Sequence, residues 1–245
     1  MLLETNIKYN MKKKKGYILY FDIIGYKSLL KNNTEQENDK MATLLDSFSN
    51  IYSKSNMALG FGADFNPDKL IIRSFSDNFL FVYESQNDNV LELVNFQWIA
   101  SLIQYQFLCV GILTRGSITY GTIFYNEHIV FGQDLIKAVE LEGNHKTPSI
   151  IVDESLKSVF ANSCFEFKNE IDLFNVHANS PLDYQDCIKG LEKYVEHLNR
   201  ISVDDNILEK ANYVIEKLND YFEQEQNVKC FLRHNTKYYI AFETN

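Results

Sequence analysis

The chain is poor in positive charge. Its 245 residues include 24 lysines and arginines against 33 aspartates and glutamates, which gives a formal net charge of -9 at pH 7. A nucleic-acid-binding surface needs a basic face, and this composition does not favour one. The basic cluster at residues 12–15 is short, so we interpret it as a solvated flank of the first strand.

Paired cysteines, long apolar runs and glycine-rich phosphate loops are also missing. Cys109, Cys164, Cys187 and Cys230 lie far apart without a CxxC pair, so no zinc knuckle is indicated. The sequence shows no secretory signal, and polar residues break every apolar stretch well short of the ~20 residues of a membrane span. Neither common phosphate-loop motif occurs. We therefore expect a soluble, cytoplasmic protein with reduced thiols and no membrane or nucleic-acid partner.

Two apolar stretches each carry one aspartate. Residues 17–26 (YILYFDIIGY) and 70–83 (LIIRSFSDNFLFVY) predict buried strands that deliver Asp22 and Asp77. An unpaired charge is costly in such surroundings, so a carboxylate there is usually paired or binds a metal. Two of them favour a shared Mg²⁺ or Mn²⁺. The alternatives are a turn role for Asp77 in Ser-Asp-Asn and a strand-end cap for Asp22.

The order of predicted elements indicates an α+β fold. Strand, helix, helix, hairpin, helix, strand, strand, helix and strand suit a largely antiparallel sheet flanked by helices. We expect a frayed N-terminus at residues 1–16, one domain at 17–178 and a C-terminal helical extension at 179–245. The remaining expectations are a helix at 41–54, a last core strand at 173–176, amphipathic helices at 184–200 and 206–226, and an ambiguous segment at 228–242.

Two arginines stand in predicted strands. Arg115 lies in an apolar run, where a guanidinium must find an anion, either a phosphate or an internal carboxylate. Arg73 precedes Asp77 by four, which in a strand places both on one face. Arg73 could then reach a substrate or form a salt bridge with Asp77.

The turn after Asp22 predicts the start of a helix. Gly25 allows a tight turn, and free N–H groups at a helix N-terminus favour anions such as a triphosphate. Tyr26 could stack on or hydrogen-bond to a base, or be a plain core aromatic.

Together these segments resemble a class III nucleotidyl cyclase domain over residues 17–178. Within that class the chain is most similar to the small standalone pyrimidine cyclases of bacterial Pycsar antiphage defence. Those enzymes make cyclic UMP or cyclic CMP, which activates a separate effector. The segments that carry the resemblance are 21–26 (FDIIGY), 76–78 (SDN), 115–121 (RGSITYG), 132–142 (GQDLIKAVELE) and 150–153 (IIVD).

The resemblance implies a role for each candidate residue. Asp22 and Asp77, with the carbonyl of Ile23, would hold two Mg²⁺ or Mn²⁺ ions, and Arg115 would hold the terminal phosphates beside the Gly25 turn. The resemblance also implies a head-to-tail homodimer with two sites between its subunits.

The residues that the resemblance places at the base depart from the pattern of purine cyclases. Arg73 stands where adenylate cyclases are expected to carry lysine and guanylate cyclases glutamate, and Tyr26 replaces the usual phenylalanine. Both departures agree with a pyrimidine substrate, with UTP favoured over CTP. An ordinary adenylate cyclase is the alternative that Arg73 opposes.

The helix after Gly132 also departs from the family pattern. Purine cyclases place an asparagine and an arginine where this chain has Ile136 and Glu140. Lys137 is then the candidate for stabilising the transition state. The alternative is a catalytically inactive module that binds a nucleotide or pairs as a regulatory half.

Overall fold

The computed structural model describes residues 11–27, 34–36, 38–39, 42–43, 46, 66–85, 89–171, 184–199, 205–226, 228–234 and 237–244. Most of the predicted helix at 41–54 and all of the predicted strand at 173–176 lie outside these residues. The predicted domain boundary after residue 178 also lies outside them.

A mixed sheet forms the centre of the described structure. Its strands are β1 (Lys12–Ile23), β2 (Leu70–Phe75), β3 (Asn78–Glu84), β4 (Thr114–Tyr125), β5 (Val130–Phe131), β6 (Ile150–Val152) and β7 (Glu170–Ile171). Their order is β2-β3-β1-β4-β6-β7, and β5 pairs with β4. Every pair is antiparallel except β4 with β6. The predicted α+β class with a largely antiparallel sheet is confirmed.

The first strand starts earlier than the predicted residue 17. The lysines at 12–15 pair with the end of β4, from Lys12 opposite Tyr125 to Lys15 opposite Thr122. Strand β4 runs past Gly121, so its backbone offers partners to a segment that lacks apolar side chains. The Lys15 amino group also lies 4.9 Å from the centre of the Tyr120 ring.

Helices cover the two faces of the sheet unequally. Helix α1 (Val90–Cys109) packs Leu93, Phe96 and Ile103 against one face, in the larger core cluster. Helix α2 (Gln133–Gly143) lies on the other face, where Ala138 joins Ile18 of β1 in a smaller cluster. Among the described helices, only the short α2 covers that face, and Phe75 at the end of β2 is 83% exposed there.

The C-terminal segment is a helix pair followed by a hairpin. Helices α3 (Tyr184–Leu198) and α4 (Asp205–Gln226) confirm the two predicted amphipathic helices. The ambiguous segment forms β8 (Val228–His234) and β9 (Tyr238–Thr244), which pair with each other. A second core cluster joins Leu191 of α3 and Val214 of α4 to Leu108, Leu113 and Ile24. The extension is therefore packed on the end of α1 and the start of β4.

Two further findings concern membrane-spanning helices and the cysteines. Among the described residues no helix is long and apolar enough to cross a membrane. Cys109, Cys164 and Cys187 form no disulfide bond within the described structure.

Candidate functional site

Strand pairing brings Asp22 and Arg115 together at one end of the sheet. Asp22 lies opposite Arg115 on β4 and opposite Asn78 on β3. Residues directly opposite each other on paired strands share a face. The face that carries Asp22 is therefore the one only partly covered by α2.

Asp22 and Arg115 form a charge-assisted contact. The Nε and Nη2 atoms of Arg115 donate to Oδ2 of Asp22 over 3.3 and 3.2 Å. Arg115 also lies against Glu142, with Nε 2.5 Å from Oε1, and its Nη1 donates to the carbonyl of His145 over 2.9 Å. The internal ion pair that the sequence allowed for Arg115 is thus present, with two carboxylates rather than one.

Glu142 is the site residue that the sequence reasoning missed. It lies four residues after the buried Ala138, so the helical period places it on the face of α2 that contacts the sheet. Its side chain is only 7% exposed. Burial raises the pKa of Glu142 to about 7; Arg115 opposes this, while Asp22 and Asp77 add to it.

Three carboxylates and one guanidinium leave the site short of positive charge. Burial raises the pKa of Asp22 above its ordinary value, Arg115 opposes that rise, and the negative charge of Asp77 adds to it. Because a carboxylate disfavours ionisation of its neighbour, repulsion among these carboxylates adds to the larger effect of burial. A bound cation would relieve that repulsion.

Asp77 sits in the tight turn between β2 and β3, as predicted for the hairpin. Ser76 adopts a left-handed φ of 58° in this turn. The N–H of Ile23, next to Asp22, donates to the carbonyl of Asp77 over 3.1 Å. The side chain of Asn78 donates to Oδ1 of Asp77 over 3.1 Å. The turn therefore lies against the end of β1.

These donors fit a divalent cation. Asp22, Asp77 and the carbonyl oxygen of Ile23 are hard oxygen ligands of the kind that Mg²⁺ and Mn²⁺ prefer. In the described part of the chain no three histidine, cysteine or acidic side chains form a group able to hold a metal by themselves. Two carboxylates with a backbone oxygen suit an ion that completes its coordination with substrate phosphates.

Arg73 lies on the open face but apart from Asp77. It is exposed on β2 opposite Leu80, and its guanidinium donates to the carbonyls of Ile72 and Asn126 over 2.8 and 3.4 Å. The described residues show no ion pair between Arg73 and Asp77, because Asp77 is in the turn and the strand alternation does not extend to it.

A cavity of about 330 Å³ adjoins Arg73 on this face. Tyr20, Asn78, His128 and Leu135 contribute to its lining. Tyr20 donates a short hydrogen bond to Asn78. Burial, aided by Glu142, Asp22 and Asp77, raises the pKa of Tyr20 to about 12, so this phenol stays protonated.

The remaining candidate residues lie in different parts of the structure. Gly25 is exposed with a left-handed φ of 76°, as its predicted tight turn requires. Tyr26 is half-buried and packs against the main core cluster. Lys137 forms an ion pair with Asp153, away from the contacts of Asp22 and Arg115. Ile136 is 59% exposed on the outer side of α2.

Comparison with known proteins gives structural neighbours only. No protein-family model matches the chain, and no curated protein matches it in sequence. The guanylate cyclase domain of RhGC from Catenaria anguillulae in complex with GTP is 16% identical, with 62% of this chain and 85% of that one covered and a TM-score of 0.46.

Two further neighbours are also cyclase-like. The adenylate/guanylate cyclase/hydrolase from Silicibacter pomeroyi is 16% identical over 66% of this chain and 95% of its own, with a TM-score of 0.41. A class III adenylyl cyclase-like ATP-binding protein from Pseudomonas aeruginosa is 11% identical over 88% of this chain and 45% of its own, with a TM-score of 0.43.

Proposed function

We propose that this chain is a nucleotidyl cyclase, which converts a nucleoside triphosphate to its 3′,5′-cyclic monophosphate and pyrophosphate. One observation carries the proposal: Asp22, in contact with Arg115, lies beside the Asp77 turn at an open end of the sheet. Paired carboxylates next to a guanidinium suit a metal-bound polyphosphate.

The protein's own residues would orient the substrate and neutralise its charge. Arg115 is held by Asp22, Glu142 and the His145 carbonyl, so its guanidinium is in place before a phosphate arrives. A preorganised cation needs no rearrangement when charge develops in the transition state. Asp22, Asp77 and the Ile23 carbonyl would hold two Mg²⁺ or Mn²⁺ ions. When bound, these ions supply the Lewis acidity that makes the ribose 3′-hydroxyl a better nucleophile.

For the substrate we propose UTP, or alternatively CTP. Arg73 lies on the same open face as Asp22 and borders a cavity with Tyr20 and Asn78. A guanidinium can donate to O4 of uracil or to N3 and O2 of cytosine. Tyr26, in the turn after Asp22, would stack on the base or form a hydrogen bond with it. The product would act as a second messenger on a separate effector in antiphage defence.

We further propose a homodimer that closes the open face. Large apolar side chains are exposed there, with Phe75 83%, Ile136 59% and Phe131 51% exposed. A cavity of about 720 Å³ between α2 and the β4–β5 edge includes Phe131 and Ile136 in its lining. Apolar groups gathered on one side of a monomer are typical of a protein interface.

The proposal is tested by incubating the purified chain with UTP, CTP, ATP and GTP in the presence of Mn²⁺. We expect cyclic product and pyrophosphate from a pyrimidine nucleotide, detected by mass spectrometry. Failure of all four nucleotides to give a cyclic product would overturn the enzyme proposal. Preferred turnover of ATP would overturn only the pyrimidine assignment.

Asp77→Asn tests the metal ligands within the same assay. The variant keeps the size of the side chain but removes the charge, so we expect turnover to fall to background with an unchanged melting temperature. Asp68→Asn is the matched control, because Asp68 is an exposed aspartate just before β2, at the other end of that strand from Asp77. Unchanged turnover in Asp77→Asn would remove Asp77 from the metal site.

An inactive nucleotide-binding module is the second candidate. It is favoured by Lys137, which is paired with Asp153, and by the exposed Ile136 and Glu140 on α2. Tight binding of a non-hydrolysable UTP analogue without turnover of any nucleotide would support this candidate. The cyclase proposal requires both binding and turnover.

A further inference from the structure

A third cavity opens beside Arg115, between the sheet and the C-terminal extension. It measures about 330 Å³, and its lining includes Arg115, Lys146, Thr147, Glu209 and Lys210. Three of these side chains are cationic and one is acidic. Arg115 therefore faces both the aspartate site and this cavity.

Lys210 reaches the cavity from the buried side of α4. Ala211 and Val214 of that helix are almost wholly buried, and Ile207 packs against the second core cluster. Lys210 is three residues after Ile207 and four before Val214, so it lies on the same helix face. Its positive charge acts on Asp22, whose pKa it helps to lower against the larger effect of burial. A lysine at this position brings charge from the extension to the aspartate site.

Hydrogen bonds anchor the wall that carries Lys210. The hydroxyl of Tyr213, one turn along α4, donates to Oε1 of Glu170 on β7 over 2.8 Å. Glu170 also accepts from the hydroxyls of Ser149 and Thr147 over 2.6 and 3.2 Å. Thr147 itself borders the cavity. The helix and the loop before β6 are thus tied to one carboxylate, which keeps the cationic groups facing each other.

We propose that α4 completes the substrate site, with Lys210 and Lys146 binding the terminal phosphates, and the pyrophosphate they become, next to Arg115. This inference rests on the proposed cyclase function for its substrate. A polyphosphate that starts at the Asp22 end would pass Arg115 and enter a cavity with two further cations. Charge-assisted hydrogen bonds from lysine to phosphate are the strongest contacts available there.

Calorimetric titration with inorganic pyrophosphate in the presence of Mg²⁺ tests the cavity without needing turnover. We expect the full chain to bind pyrophosphate, and Lys210→Gln to weaken binding roughly tenfold, the size of one charge-assisted hydrogen bond. Lys210→Arg should recover most of the affinity. Lys189→Gln is the control, since Lys189 is an exposed lysine of α3 paired with Asp186, and it should bind as the parent does.

The outcomes separate this inference from the cyclase proposal. Pyrophosphate binding that weakens in Lys210→Gln supports the cavity even when no nucleotide is cyclised. Turnover of a nucleotide with unchanged KM and unchanged pyrophosphate affinity in Lys210→Gln overturns the inference and leaves the cyclase proposal intact. Should Lys210→Gln fail to fold by thermal melting, Lys146→Gln gives the same reading, because Lys146 is exposed in a loop. Absence of pyrophosphate binding in the parent chain also overturns the inference.

Discussion

At the scale of single residues, Arg115 is the centre of the site. One guanidinium contacts Asp22, Glu142 and the carbonyl of His145. A lysine at this position could not reproduce these contacts, since its three donors share one nitrogen whereas those of arginine spread over a planar fork. Glu142 shares this guanidinium with Asp22, and this sharing affects the ionisation of Glu142.

We predict that ionisation of Glu142 lowers the free energy of unfolding as pH rises. Its pKa of about 7 in the folded chain exceeds the ordinary 4.5. Between these values the folded state binds more protons than the unfolded state, so the free energy of unfolding falls as pH rises. The free energy of unfolding of Glu142→Gln, relative to that of the parent, should therefore rise by up to about 3 kcal/mol between pH 4.5 and a pH above 7. Urea unfolding in the presence of EDTA measures this difference.

Glu140→Gln is the control for this prediction. Glu140 lies on the same helix but is exposed, so its replacement should leave the pH profile of stability unchanged. Parallel profiles for the parent and Glu142→Gln between pH 4.5 and 8 would contradict the buried-carboxyl explanation.

Lys137 gives a second prediction at this scale. In the ground state Lys137 is paired with Asp153, so a catalytic role requires it to leave that pair for the transition state and affects kcat more than KM. We expect Lys137→Gln to lower kcat by at least about tenfold, with little change in KM, and Lys137→Arg to recover activity. Lys157→Gln, an exposed lysine after β6, is the control. An unchanged kcat in Lys137→Gln would restrict Lys137 to its ion pair with Asp153.

At the scale of elements, a close contact between α3 and α1 holds the C-terminal extension against the rest of the protein. A Cβ at Gly190 of α3 would lie 2.0 Å from the carbonyl oxygen of Leu108. Only a glycine allows this approach. Lys193, one turn later, donates to the carbonyl of Cys109 over 2.9 Å. The carbonyls at the end of α1 are thus covered by α3.

Gly190→Ala should therefore destabilise the docked extension. Although alanine favours a helix more than glycine does, the backbone clash should cost about 1–3 kcal/mol overall, measured by chemical unfolding. Gly143→Ala is the matched control, because a Cβ there meets nothing within 4 Å. Equal stability of the two variants would show that α3 can shift away from α1 without cost.

At the scale of the whole molecule, the two faces of the sheet differ in how they are covered. Helix α1 packs over one face, whereas on the other face, beside α2, Phe75 and Arg73 are exposed and Asp22 is half-buried. The proposed substrate site and the proposed dimer interface therefore occupy the same side. A partner subunit there would bury the exposed apolar groups and exclude water from the site.

We predict that Ile136→Asp disrupts self-association. A carboxylate at this 59% exposed position would have to be desolvated in an interface, which is unfavourable. Sedimentation equilibrium should show a dimer for the parent and a monomer for the variant, with nucleotide turnover lost in parallel. Leu91→Asp is the control, since Leu91 is 43% exposed on α1 at the opposite face. A parent chain that is monomeric at micromolar concentration would contradict the dimer.

Much of the fold was predictable from local patterns. The apolar content of residues 17–23 and 70–83 predicted one strand and a two-stranded hairpin, and β1, β2 and β3 confirm them. The amphipathic spacing of α3 and α4 was equally informative. The start of β1 was not predictable, because Lys12 joins the sheet only through its pairing with Tyr125 of β4.

The sequence by itself determined the strand that carries Asp22, the turn that carries Asp77 and the strand that carries Arg115, since side-chain period and turn chemistry are local properties. Only the tertiary structure decided that Arg115 contacts Glu142, that Lys137 contacts Asp153 and that Lys210 reaches the cavity beside Arg115. Each of these contacts joins segments that are remote in sequence or belong to different elements. Their geometry follows from strand register and helix packing, which no local pattern contains.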